Sequence, residues 1–273
     1  MLKFAKTLPV GLQLYSVRDF LQKDFKGTLA KVKALGYDYV EPAGLYGVPA
    51  DEYRAALDEA GLTALCAHVQ YAEMVADFDK VIADYTTLGV KFIAVPYLGD
   101  DDRAGGKNYH IVLKNIAAFA KILAEKGMTL LYHNHDFEFV KLDNGKYALD
   151  DMYDQIPELQ TELDCCWVNV AGEDPVCYIR KYANRCPVVH LKDFTGSKSS
   201  NMYNLIGLKE SAKTTSTFAF RPVGYGKQDV PSIITAAIES GAQYLVVEQD
   251  DPGEQTSLEA VEMSRNYLKT LGF

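Results

Sequence analysis

The sequence is short of most of what would mark a membrane-bound, disulfide-stapled or nucleic-acid-binding protein. No run reaches the roughly 18–20 apolar residues that a helical membrane span needs. The opening MLKFAKTLPVGLQLYSV lacks the long apolar stretch and small-residue cleavage site of a signal peptide. Basic charge is scarce: 28 Lys and Arg stand against 37 Asp and Glu, for a formal net charge of −9, with the acids spread along the chain. Nucleic acid and anionic membrane both call for a basic face, so neither is an expected partner; a small basic pocket for one phosphate is not excluded by this count. The cysteines number five, an odd count, and no C-x-x-C occurs. The expectation is a reduced, cytoplasmic protein with buried, unpaired thiols. There is one tryptophan, Trp167.

What is present is an alternation that runs the length of the 273 residues. Short apolar runs of strand length alternate with stretches of helical period, many of them closed by glycine. Strands are expected over 11–17, 39–43, 62–69, 92–97, 129–135, 159–168, 188–193 and 244–250. Helices are expected over 25–35, 50–60, 74–88, 109–126, 175–182, 230–240 and 257–271. Apolar strands separated by helices imply a parallel sheet covered on its outside. Eight such units can close into a (β/α)8 TIM barrel, expected as a single domain over 1–273 because no stretch reads as a linker. A doubly wound open sheet is the structural competitor. Two longer connections, 136–155 and 194–227, are expected to form functional rims or lids.

Parallel barrels collect their chemistry at the C-terminal ends of the strands. Glu41, His68, His133, His135, Asp164, His190, Lys192, Asp193 and Glu248 all fall at such ends, and His110 is the one histidine that does not. Side chains alternate along a strand, so His133 and His135 share a face, as do His190 and Lys192. Asp164, His190 and Glu248 lie inside apolar strands, where ionisable groups are costly without partners. Converging carboxylates repel unless a cation lies between them, and this mixture of imidazole and carboxylate suits Mn²⁺, Mg²⁺, Co²⁺, Zn²⁺ or Fe²⁺. Glu41 and His68 are candidate substrate contacts, with a rim ion pair and a satisfied core histidine as the plainer alternatives. Trp167 either lines the site or packs. Arg221 either holds substrate oxygens or forms a loop salt bridge. Cys165 and Cys166 are adjacent and, on a strand, would point opposite ways, so they read as core packing.

The strings YHNHDFEF (132–139), ELD (162–164), VVHLKDF (188–194), PVGYGKQDV (222–230) and YLVVEQD (244–250), with the opening GLQLYSVRD and the GYDYVEPAG segment, resemble the xylose isomerase-like sugar phosphate isomerase/epimerase family. The ordered set spans nearly the whole chain. The wider group includes ketose 3-epimerases, inosose dehydratases and endonuclease IV. Its resemblance implies a divalent metal held from strands five to eight, commonly by Glu, Asp, His and Glu. Carried over, the last three fall on Asp164, His190 and Glu248. The strand-five Glu is absent and His133 stands at the matching position, with His135 and Glu138 as alternatives from the same segment.

The chemistry so implied is the acidification of a carbon beside a carbonyl, through an enediolate. Glu248 is the first candidate for moving the proton and His135 the second. Lys192 and Arg221 would hold substrate oxygens. The expected function is a metal-dependent isomerase or epimerase of a sugar, sugar phosphate or keto-sugar. Elimination by a dehydratase or lyase on the same site is the first alternative, and a silent sugar-binding barrel the second. GYGKQD is too short to count as a phosphate loop, which tilts the expectation toward an unphosphorylated carbohydrate. Barrels of this kind often pair, so a homo-oligomer is compatible with the sequence.

Overall fold

The computed structural model describes residues 4, 7–199, 202–207 and 217–273. Nine parallel strands form one sheet: β1 (Val10–Gln13), β2 (Tyr39–Glu41), β3 (Thr63–Ala64), β4 (Cys66–His68), β5 (Phe92–Val95), β6 (Thr129–His133), β7 (Gln160–Asp164), β8 (Val188–Leu191) and β11 (Tyr244–Val247). Their order is β3-β2-β1-β11-β8-β7-β6-β5-β4. The two ends of that order, β3 and β4, are halves of one strand interrupted at Leu65. Backbone bonds from His68 N to Pro42 O and from Gly44 N to His68 O carry the ladder across the seam. The sheet therefore closes as a TIM barrel with helices between its strands, and the open doubly wound alternative is ruled out.

Alternation sets what the barrel encloses. Leu65, Cys66, Phe92, Ala94, Leu131, Val188 and Val246 pack as an apolar plug, with Tyr39 and Tyr244 against them. Gly11 sits at this level because a Cβ there would meet the Leu65 side chain at 2.8 Å. The opposite strand faces pack against the helices in the main core, where Leu12, Val40, Ile93, Leu130, Leu163, Val189 and Val247 are buried.

Several expected elements end sooner than their apolar runs, and each has a capping reason. The strand expected over 11–17 stops at Gln13, whose side-chain oxygen accepts Tyr15 N and starts a 3-10 turn, Leu14–Val17. The strand expected over 159–168 stops at Asp164, which caps the helix Cys165–Val170 by accepting Trp167 N. Cys165 and Cys166 are thus helical, not opposed on a strand. The helix expected over 74–88 is two, Tyr71–Ala76 and Phe78–Leu88, because Asp77 caps the second through Lys80 N. Four cysteines are buried and unpaired as expected, but Cys177 is exposed.

The two long connections carry structure of their own. The first holds a 3-10 turn, Phe137–Phe139, and a helix, Ala148–Gln155. Within the second, β9 (Asp193–Thr195) pairs antiparallel with β10 (Ala219–Arg221), and a short helix spans Met202–Leu205; the rest of that expected lid lies partly outside the described residues. Asp193 anchors the ribbon and the turn beyond it. Its buried carboxylate accepts four backbone N–H groups: Phe194 at 2.8 Å, Gly224 at 3.0 Å, Gly226 at 2.9 Å and Gln228 at 3.1 Å. Gly226 is required by this approach, since a Cβ there would fall 2.1 Å from Asp193 Oδ1. Among the described residues no helix is long and apolar enough to cross a membrane.

Replacing Asp193 by alanine leaves these amides without an acceptor, each lost charge-assisted bond costing on the order of 1 kcal/mol or more. The variant is expected to lose roughly 3 kcal/mol and to melt about 5–10 °C lower by calorimetry. An unchanged melting temperature would contradict the anchoring role.

Candidate active site

Above the apolar plug the barrel interior turns polar in two layers. Gln13, Glu41, Cys66, Glu162 and His190 form the lower one, joined by His68 from above; His133, Asp164, Lys192 and Glu248 form the upper one. All these side chains are buried. The register brings them together: Asp164 pairs with His190 across β7 and β8, and His133 with Glu162 across β6 and β7.

Where the layers meet, one donor atom each from His133, Asp164 and Glu248 above and His190 below lies within 4.8 Å of the others. His133 Nε2 is 3.4 Å from Asp164 Oδ2 and 3.5 Å from Glu248 Oε2. His190 Nδ1 is 2.9 Å from Glu248 Oε2. Lys192 Nζ sits 2.6 Å from Asp250 Oδ2, 3.0 Å from Glu248 Oε2 and 3.5 Å from Asp164 Oδ2. Burial works against charge on His133, but the carboxylates of Asp164 and Glu248 outweigh it and lift the imidazole to about 9. Burial also opposes charge on Glu248, and Lys192, His133 and His190 together hold its carboxyl well below the usual range.

These residues fit a divalent cation by a criterion independent of their types. Both ring nitrogens of His133 and Asp164 Oδ2 are buried without a hydrogen-bond partner. Such atoms are rare in folded proteins, and they give these residues the capacity to ligate a cation. Asp164 is prepared for ligation, because its Oδ1 is spent on Trp167 N. Asn134 fixes its backbone, accepting Asp164 N at 3.0 Å and donating to Asp164 O.

In the lower layer Glu41 Oε2 is 2.8 Å from His190 Nε2 and accepts Gln13 Nε2 at 3.0 Å. Glu162 Oε2 is 2.6 Å from His68 Nε2. Burial and the neighbouring Glu162 raise the Glu41 carboxyl. Burial pushes on Glu162 in the same direction, but His190 and His68 hold it well below the carboxylate range.

A cavity of about 180 Å³ opens over the upper layer, lined in part by Tyr15, His68, Tyr97, His133, His135, Lys192, Glu248 and Asp250. His135 forms its aromatic wall with Tyr97 and stacks on Phe137, ring centroids 5.2 Å apart. Burial and the cations of His133 and Lys192 keep His135 well below its usual pKa, and so neutral. Trp167 is fully buried behind it, 5.0 Å between ring centroids.

The barrel thus gathers most of the sequence candidates. Among the strand-five alternatives, His133 joins the other donors, His135 lines the cavity, and Glu138 turns away to accept Tyr132 Oη and His135 N. Burial raises Glu138 to about 7 against those donors. Glu41 lies beneath the cavity and Trp167 behind its wall. Arg221 does not join them: it donates to Phe220 O and lines a separate surface groove with Tyr225 and Glu254. Gln13, Cys66, Glu162 and Asp250 were not among the candidates. The signal for two of them was the strand period itself, since Glu162 and Asp250 stand two residues from Asp164 and Glu248.

The family model of the xylose isomerase-like TIM barrel matches this chain over residues 29–267. An inosose dehydratase of Clostridium tetani is 29% identical over 57% of this chain and 52% of its own length. One from Clostridium perfringens is 30% identical over 58% and 52%. The chain spans about half the length of the curated relatives it matches. Solved structures share the fold from end to end. A sugar phosphate isomerase/epimerase of Parabacteroides distasonis superposes with a TM-score of 0.75 at 22% identity, covering 96% of this chain and 98% of that one. A probable 3-DHS dehydratase from Bacillus anthracis does so with a TM-score of 0.71 at 12% identity, covering 96% and 99%. The family match covers most of the barrel and every strand of its polar interior from β2 onward: this chain belongs to the xylose isomerase-like TIM barrel family.

Proposed function

We propose that this chain is a divalent-metal-dependent enzyme that removes a proton from the carbon beside a carbonyl of a small carbohydrate ketone, and that water is then lost from the neighbouring carbon. The observation that carries this reading is the convergence of four donors from His133, Asp164, His190 and Glu248 within 4.8 Å on the floor of the cavity. When bound there, a divalent cation supplies Lewis-acid stabilisation of the negative charge that develops on the carbonyl oxygen. The remaining work falls to this chain's own side chains. Glu248 Oε2 already faces His190, Lys192 and His133 within 3.5 Å, which makes it a poor base. His135 is neutral and lines the cavity, so the proton-accepting role passes to it from Glu248. Lys192 lines the same space, where its ammonium can orient the β-hydroxyl, which leaves as water with the proton that His135 has accepted from carbon.

The inosose dehydratase relatives favour elimination over the isomerase or epimerase outcome expected from the sequence. The two outcomes share the first step and differ in whether the proton returns to carbon or a β-hydroxyl leaves. The favoured substrate class is an uncharged keto-cyclitol or keto-sugar. Among the described residues Lys192 is the one lysine lining the cavity, and Glu248 and Asp250 match its charge, which favours an uncharged substrate over a phosphate.

The test is to incubate the chain with inososes, ketoses and 3-keto-glycosides in D₂O, with Mn²⁺ and with EDTA. The expected result is metal-dependent uptake of deuterium beside the carbonyl or formation of a dehydrated product, abolished by EDTA. No exchange and no product with any member of the panel would sink the reading. His135→Gln is expected to slow the exchange about 100-fold or more while the chain keeps its metal; unchanged exchange would return the base to another residue.

Metal affinity is expected to depend on pH in a stated direction. Ligation needs a neutral imidazole, and His133 of the metal-free chain titrates at about 9. Against its burial, the carboxylates of Glu162 and Glu41 hold His190 well above its usual range too, so binding displaces a proton from each imidazole and affinity should rise about tenfold or more per pH unit from 7 toward 9. A flat profile by isothermal titration over that range would remove His133 from the ligand set.

A further inference from the structure

The charge balance of the barrel interior is incomplete with one ion. Five carboxylates, those of Glu41, Glu162, Asp164, Glu248 and Asp250, are each at most 4% exposed. The ammonium of Lys192 lies among the upper three. One divalent ion in the upper layer, together with Lys192, brings three positive charges to five negative ones. His133 and His190 must be neutral to ligate that ion, so they contribute none. The excess lies in the lower layer, at Glu41 and Glu162, where no solvent reaches and the single imidazole of His68 can offset only one of the two charges.

The lower layer has the donors to answer it. Glu41 Oε1 is fully buried and has no hydrogen-bond partner. Glu162 Oε1 is 3.4 Å from Cys66 Sγ, and the donor atoms of Glu41, Cys66 and Glu162 lie within 4.8 Å of one another. His68 Nε2 is 2.6 Å from Glu162 Oε2 and 3.6 Å from Glu41 Oε2. His190 Nε2 lies 2.8 Å from Glu41 Oε2, while its Nδ1 faces Glu248 in the layer above.

We propose that Glu41, Glu162 and His68 hold a second divalent cation beneath the first, with the Cys66 thiol at its side. This second site rests on the reading of the upper layer as a metal centre. Two divalent ions and Lys192 then balance the five carboxylates without protonating any of them. Two carboxylates, an imidazole and an adjacent sulfur suit Zn²⁺, Co²⁺, Mn²⁺ or Fe²⁺ better than Mg²⁺ or Ca²⁺. Glu41 and His68 become ligands in this arrangement, in place of the substrate contacts expected from the sequence. His190 lies between the two sites, 2.9 Å from Glu248 Oε2 and 2.8 Å from Glu41 Oε2.

The experiment is metal stoichiometry. The full chain is stripped with a chelator, reloaded with Zn²⁺ or Mn²⁺ by equilibrium dialysis, and assayed for metal by mass spectrometry, with a thermal melt on each sample to confirm folding. Two equivalents per chain are expected, with one remaining in Glu162→Gln and one in Asp164→Asn; His68→Ala replaces the first variant if it does not fold. Two Mn²⁺ so close should also give an exchange-coupled spin-resonance signal that Glu162→Gln removes. Saturation at one equivalent that is lost in Asp164→Asn and kept in Glu162→Gln overturns the second site and leaves the upper reading standing. One equivalent with the opposite pattern overturns the upper reading instead, and keeps the lower site.

Discussion

Negative charge shut inside a closed sheet has no water to solvate it, so it must be balanced where it lies. That requirement organises the interior of this barrel. The apolar plug of Phe92, Leu131, Val188 and Val246 seals one end. Above it, each carboxylate is placed against an imidazole, an ammonium or a backbone amide. His190 lies between Glu41 and Glu248, with a ring nitrogen within 2.9 Å of each. His68 and His190 stack nearly parallel, 5.4 Å apart, between Glu41 and Glu162. Glu138 and Asp193, by contrast, are answered by local N–H and O–H donors and serve to hold loops.

The division between site and scaffold comes from this balance. Where donors from one's own loop satisfy a carboxylate, it acts as a brace. Where the satisfaction is partial, as at Asp164 Oδ2, Glu41 Oε1 and the His133 ring, the group is left with capacity for something that is not part of the chain. The rigidity of that arrangement comes from β-strands on all sides and from Asn134, which ties β6 to β7 at the level of His133 and Asp164. A site built on strands holds its geometry better than one built on loops.

Much of this was legible in the sequence, because a barrel strand encodes its inward face by position alone. ELD, VVHLKD and YLVVEQD place Asp164, His190 and Glu248 on the interior by period, and the eight repeats of strand and helix give closure. What the period leaves open is depth. Glu41 has the same signature as a rim carboxylate but sits below the cavity, and Glu162 and Asp250 carry the same period as their neighbours without the surroundings that would mark them. Strand ends were also overestimated, since Gln13 and Asp164 end their strands by capping the next helical turn, and an apolar run conceals a polar cap within it. Arg221 belongs to β10, a strand of the rim ribbon, and a loop ribbon's direction is not set by the barrel's alternation.

That ribbon separates the length of the excursion it carries from the geometry of the floor. β9 and β10 pair with each other and are tied down by Asp193, so the intervening segment leaves and re-enters at nearly the same point. Lengthening a segment whose ends are already fixed together costs only slowly growing closure entropy. The segment between β9 and β10, which brings Ile206 to the cavity, can therefore be rewritten in evolution, or by grafting, while the polar interior of the barrel is inherited unchanged.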